Sequence, residues 1–135
     1  MPSSCQIRVR IDSDIDIVVA RQKGRALAAD LNFSATDLVR IATAISELAR
    51  NVLSYAQRGE IRLQAVRHAG KCGVVIVAHD EGPGIPNLTQ AMQDGYSTSG
   101  GLGLGLPGVR RLMDDFQITS ATGVGTTVTV TKWRP

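Results

Sequence analysis

The sequence predicts an α+β domain spanning residues 1–135, and three observations predict it. Two pairs of segments, 60–67 with 73–80 and 116–121 with 127–133, are β-branched or alternating runs joined by Gly-containing turns, the pattern of antiparallel hairpins. Ahead of the first hairpin the apolar spacing changes from two residues to three and four, the period of helices. Hydrophobic residues make up 43% of the 135 positions, enough for one core, and a chain of this length buries roughly two-thirds of its unfolded surface. The resulting order is β-α-α-β-β-(α)-α-β-β, with no internal repeat, linker or low-complexity tract.

"QIRVRI" (6–11) alternates apolar and polar residues and reads as a half-buried strand. Aspartates at 12, 14 and 16 then open a helix through about residue 31, with Ile17, Ala20, Gly24, Leu27 and Leu31 near one face. "SATD" (34–37) has the form of a capping box, with Ser34 as N-cap and Asp37 returning toward its amide. The helix it starts should reach Tyr55 or Ala56, burying the stripe Leu38, Ile41, Ile45, Leu48 and Val52. In the first hairpin the second strand is apolar from Val74 to Ala78, as expected of a strand inside a sheet. Gly82, Pro83, Gly84 and Pro86 break it. A short helix over 88–94 and the segment "GYSTSGG" (95–101) follow. Pro107 suits the first turn of a further helix through about Asp115, since its missing N–H would be unpaired there. "FQITSA", the turn "TGVGT" and "TVTVTKW" close the chain as a second hairpin.

Charge and composition narrow the function. The net charge of +3 is spread along the chain and aromatic residues are 4% of it, which argues against a nucleic-acid footprint or a base-stacking platform. Cys5 and Cys72 lie outside any Cys-x-x-Cys spacing, and His68 and His79 have no second ligand at metal spacing. No signal segment or apolar span of membrane length is visible, so a reduced, cytoplasmic setting is expected, without membrane contact.

Gly103, Gly105 and Gly108 spell G-x-G-x-x-G, the dinucleotide fingerprint of a Rossmann unit. That fingerprint should follow a buried strand and precede an acidic residue by roughly 20 positions. Here "YSTSG" precedes it and no acidic residue follows Asp115. The lysine and hydroxyl of a Walker A loop are missing from it too. What remains is a glycine loop feeding a helix N-terminus, where converging amides and the helix dipole favour an anion. Upstream, "SELARN" places Glu47 and Asn51 one above the other at i and i+4 on a helix. "DEGPGIP" puts Asp80 at the end of a buried strand, before two glycines that could let a flat ring approach the backbone. Each of these also has a plainer reading, as a helix surface pair, an Asp-Gly turn or a hairpin turn.

Together and in this order, the elements resemble the GHKL superfamily, the ATP-binding fold of gyrase-type ATPases, histidine kinases and anti-sigma serine kinases. Glu47 and Asn51 match its N box, Asp80-x-Gly82-x-Gly84 its first glycine box, Gly101-x-Gly103-x-Gly105 its second, and Gly123-x-Gly125-Thr126-Thr127 its third. Through "AISELARN", "DEGPGIP", "GYSTSGGLGLGLPGVRRLMDDF" and the terminal "KW", nearly the whole chain is similar to the switch kinases of stressosome modules, the RsbT type. The resemblance implies a two-layer sandwich, its mixed, mostly antiparallel sheet covered by helices on one face. It implies a protein serine/threonine kinase using ATP and Mg²⁺. The substrates would be STAS-domain scaffold or antagonist proteins, and the released kinase would bind and activate a PP2C-type phosphatase.

By the same resemblance Asp80 would accept from the adenine amino group, with Thr127 supporting the base and Gly82 and Gly84 beside it. Asn51 would hold Mg²⁺, and Glu47 would be the catalytic base. The run Gly101, Leu102, Gly103, Leu104, Gly105 and Leu106 would bind the phosphates, with 97–101 in a lid. Arg21 matches an arginine used at a partner surface, and Arg50 could face phosphate or protein. Alternatives of the same fold are an anti-sigma factor that sequesters a sigma subunit, or a non-catalytic module gated by ATP. The short segment between the first two glycine boxes and the lack of a phosphoacceptor domain set gyrase-like and histidine-kinase roles aside.

Overall fold

The structure, a computed structural model, describes residues 6–84 and 105–134. The short helix expected over 88–94, the lid over 97–101 and the expected phosphate ligands Gly101, Leu102, Gly103 and Leu104 lie outside the described residues. So does Cys5.

The described elements are β1 (Gln6–Ile11), α1 (Asp14–Asp30), α2 (Ala35–Ala56), β2 (Gly59–His68), β3 (Lys71–Asp80), α3 (Gly105–Leu112), β4 (Asp115–Ala121) and β5 (Gly125–Trp133). The strands form one sheet in the order β1-β2-β3-β5-β4, and each described pairing is antiparallel. Adjacent rows across this sheet show how it is layered. Val9, Ile61, Ala78, Val128 and Ile118 stand in register and are buried or half-buried. The next row, Arg8, Arg62, Val77, Thr129 and Gln117, is half-buried or exposed. Side chains of the first kind face α1 and α2 and share one core with Ile17, Ala20, Ile41, Ile45, Leu48 and Val52. The fold is therefore the two-layer α+β sandwich expected.

α2 begins as read, with Ser34 Oγ accepting from the Asp37 amide at 3.1 Å. The reciprocal half of the capping box is not made there. The Asp37 carboxylate instead accepts from Arg40 Nη1 at 3.0 Å and faces Lys132 Nζ at 3.9 Å. It is α1 that has this feature, because Asp16 Oδ2 accepts from the amides of Ser13 at 3.1 Å and Asp12 at 3.0 Å. These bonds, that from the Asp12 amide foremost, hold the Asp16 carboxyl below the usual carboxylate range.

α1 and α2 meet at Gly24, where an added Cβ would overlap Ile45 Cδ1. In the first hairpin the strands extend to His68 and Lys71, and Ala69 and Gly70 both take positive φ, 53° and 79°, as a tight type I′ turn requires. α3 stops at Leu112, short of the expected Asp115. Asp114 and Asp115 are drawn to β5 instead: the Asp114 carboxylate accepts from the Trp133 amide at 2.7 Å and Asp115 from Trp133 Nε1 at 2.9 Å. Among the described residues no helix is long and apolar enough to cross a membrane.

Candidate active site

Four elements converge on one cleft. α2 supplies Leu48, Asn51, Val52 and Tyr55, β3 supplies Ala78 and Asp80, α3 supplies Leu106, and β5 supplies Thr126 and Val128. Its walls are mainly apolar with a few polar groups, the composition of small-molecule sites.

Asp80 is the last residue of β3 and is buried. Its Oδ1 accepts from the Gly82 amide at 2.9 Å, which fixes the carboxylate's orientation toward the cleft. Strand register explains the inward direction, since Asp80 pairs with Thr126, and Thr126 in turn with Ser120. The hydroxyls of Thr126 and Ser120 are 2.9 Å apart. Thr127, expected beside the base, does not reach the cleft. It belongs to the row of Glu60, His79 and Thr119, which faces away from the helices, and its Oγ1 is 2.8 Å from His79 Nδ1. Because strand side chains alternate, a shift of one residue changes the face. Its neighbour Thr126 lines the cleft instead, and counting from Asp80 through the β3–β5 pairing identifies it.

Protein atoms crowd the backbone at Gly82 and Gly84. A Cβ on Gly82 would run into Ala56 at the end of α2. Gly84 has φ of 83°, and a Cβ there would lie 2.5 Å from the Ala121 carbonyl oxygen. These glycines let the Asp80 turn close against α2 and the β4–β5 hairpin, and the Gly123 amide donates to the Pro83 carbonyl at 2.8 Å to hold it there.

Glu47 and Asn51 sit one helical turn apart on α2 as read, Glu47 buried and Asn51 half-buried at the cleft. Glu47 meets the start of α3, where the Gly105 amide donates to Oε1 at 3.4 Å. Its Oε2 accepts from Arg50 Nη1 at 2.6 Å. Leu106, next along α3, is buried in the cleft wall. Arg21 is on α1, an element absent from the cleft lining. The structure thus brings Asn51, Asp80 and Leu106 together in the lining of one cleft, with Glu47, one helical turn before Asn51, meeting Gly105 at the start of α3.

A family profile described as a histidine kinase-like ATPase domain matches residues 12–132. The serine/threonine-protein kinase RsbT of Bacillus subtilis is 54% identical over 125 residues, 93% of this chain and 94% of that protein. An anti-sigma F factor of Bacillus licheniformis is 32% identical over 118 residues, 84% of this chain and 81% of that protein. Among solved structures, the RsbU and RsbW domains of Rv1364c from Mycobacterium tuberculosis superpose on the full chain with a TM-score of 0.63 at 20% identity, a likeness of fold. This chain spans about a third of that structure, 34%. These relatives agree: the chain belongs to the histidine kinase-like ATPase domain family, the GHKL superfamily, and lies nearer its RsbT-type serine/threonine kinase than its anti-sigma F factors.

Proposed function

We propose that this chain is a protein serine/threonine kinase that transfers the γ-phosphoryl group of Mg-ATP to STAS-domain proteins of a cytoplasmic stress-signalling complex. Released from that complex, it binds and activates a PP2C-type phosphatase. One observation carries the reading: the Glu47 carboxylate is held at the start of α3, one turn from Asn51, in a chain 54% identical to a serine/threonine kinase.

In this reading the cleft takes adenine between Leu48, Val52 and Val128. The Asp80 carboxylate accepts from the exocyclic amino group, a donor that guanine lacks at that position, and Thr126 supports the same edge. The phosphates extend toward Gly105, where the amides opening α3 favour negative charge. Among the described residues no cluster of His, Cys, Asp or Glu is placed to hold a metal ion. A magnesium ion held mainly by phosphate oxygens suits such a site, and the Asn51 amide oxygen is the protein ligand available to it. Magnesium would neutralise charge on the phosphates.

The serine or threonine Oγ then bonds to the γ-phosphorus as the bond to the β–γ bridging oxygen breaks, and ADP leaves. The hydroxyl proton passes to Glu47. Incubation with Mg-ATP and a cognate STAS-domain protein should yield phosphoserine or phosphothreonine. Glu47→Ala should abolish transfer and leave ATP binding intact, and undiminished transfer in that variant would remove Glu47 as base. The 32% identity to an anti-sigma F factor supports a second reading, sequestration of a sigma factor. Capture of a sigma subunit in place of a PP2C-type phosphatase would favour it.

A further inference from the structure

The side chain of Glu47 is only 9% exposed, and its two oxygens have different partners. Oε2 accepts from Arg50 Nη1 at 2.6 Å, whereas Oε1 is turned to the Gly105 amide, 3.4 Å away at the mouth of α3. Arg50 keeps 42% of its own side chain exposed, so it reaches the buried carboxylate from the protein surface. A carboxylate buried without a partner is strongly unfavourable, so the guanidinium makes this position tenable. The i,i+3 spacing, with the acid on the N-terminal side, is a favourable one along a helix. Glutamate has three rotatable side-chain bonds, and rate is steeply sensitive to where a reacting group is held: a misplacement of about 1 Å can cost roughly 100-fold.

We propose that Arg50 is a positioning residue for phosphoryl transfer, holding Glu47 by Oε2 so that Oε1 is the oxygen presented to the incoming hydroxyl. The inference rests on the reading of Glu47 as base. During transfer the substrate Oγ bonds to the γ-phosphorus, the bond to the bridging oxygen breaks with its electron pair leaving on ADP, and the hydroxyl proton passes to Oε1. Arg50 remains charged throughout and exchanges no proton. It acts on the reaction only through Glu47.

The other duties open to an arginine beside Glu47, gripping phosphate or docking a protein, alter different constants. The test is steady-state transfer from γ-labelled Mg-ATP to a cognate STAS-domain protein by the full chain and its R50Q, R50K and E47Q variants, varying each substrate. R50Q should lower kcat at least about tenfold while both KM values stay within about twofold, and R50K should recover part of the loss, because a lysine keeps the charge but not the planar fork. An unchanged kcat in R50Q overturns the inference. A rise confined to the KM for ATP assigns Arg50 to phosphate, and one confined to the KM for the protein assigns it to docking; either also overturns it. Should R50Q fail to fold, R50K decides alone: a kcat several-fold lower at unchanged KM supports the role, and wild-type kcat refutes it. Wild-type transfer by E47Q would sink the base assignment and this inference with it. An inactive E47Q beside a fully active R50Q would sink only the role of Arg50.

Discussion

Asp80 and Thr126 stand opposite one another at the ends of β3 and β5 and face the cleft, while their neighbours His79 and Thr127 face the other side of the sheet. The two threonines therefore make a sharp pair of tests. Thr126→Val keeps the shape and removes a hydroxyl beside Asp80, so Mg-ATP affinity measured by calorimetry should fall roughly fivefold, the worth of about one neutral hydrogen bond at 1 kcal/mol. Thr127→Val removes only the contact with His79 and should leave affinity unchanged; the reverse order of effects would return the base contact to Thr127. Asp80→Asn replaces an acceptor carboxylate by an amide in a buried position. It should weaken ATP binding by about 10- to 100-fold, in line with about 1.5–3 kcal/mol for a hydrogen bond to a charged group, and full affinity would undo the adenine assignment. The chemical types at the site were legible in the sequence, because Glu47, Asn51 and Asp80 are spelled out in motifs with helical or strand-end spacing. Which of two adjacent threonines turns inward was not. That depends on pairing between β3 and β5, distant in sequence, and a strand's parity is fixed only by its partner.

At the scale of elements, α1 is held by its first turn and by its close approach to α2. Asp16→Asn leaves shape and removes the charge that accepts from the Asp12 and Ser13 amides, so it should lower the melting temperature slightly at neutral pH. The sign of the pH dependence follows from the lowered Asp16 value. The contribution is full above the carboxylate's unfolded value and is lost as pH falls through the lower folded one. Wild type and variant should thus converge in acid, and a gap that stays constant with pH would show that the bonds at this cap contribute nothing through charge. Gly24→Val should be worse, since its side chain must displace Ile45 in the core. Overpacking of this kind costs about 1–3 kcal/mol, readable as a lower urea midpoint, and an unshifted midpoint would mean that Ile45 gives way freely. Helix starts and hairpins were well marked in the sequence, because caps, Pro107 and glycine turns act locally. The end of α3 was not: "MDDF" continues a helical pattern, and only the bonds from Trp133 to Asp114 and Asp115 pull those residues to β5. One of the charges that Asp37 faces was hidden for the same reason, as Lys132 approaches it from the last strand.

For the whole molecule, the element order was legible but the strand order β1-β2-β3-β5-β4 was not. Hairpins leave a local signature, whereas the pairing of β3 with β5 joins segments about fifty residues apart with no period to announce it. That non-local pairing is what builds the site, for it sets Asp80 and Thr126 side by side beneath α2 and α3. The cleft thus belongs to both layers, with α2 and α3 on one wall and β3 and β5 on the other. A nucleotide filling it touches groups that come together only in the folded chain, so ATP should bind the native state and not the unfolded one. Linkage then gives about 2.7 kcal/mol of added stability at an ATP concentration roughly 100 times its dissociation constant. With an unfolding entropy typical of a 135-residue domain, that amounts to a rise of about 9 °C in melting temperature. Asp80→Asn should lose about half or more of this rise at the same ATP concentration while melting near wild type without nucleotide. Glu47→Gln should keep it, because the base is asked to act on the transferring group and not to hold adenine. A melting temperature indifferent to Mg-ATP in the wild-type protein would show that the cleft is not a nucleotide site. A shift equal in all three proteins would place the nucleotide away from Asp80.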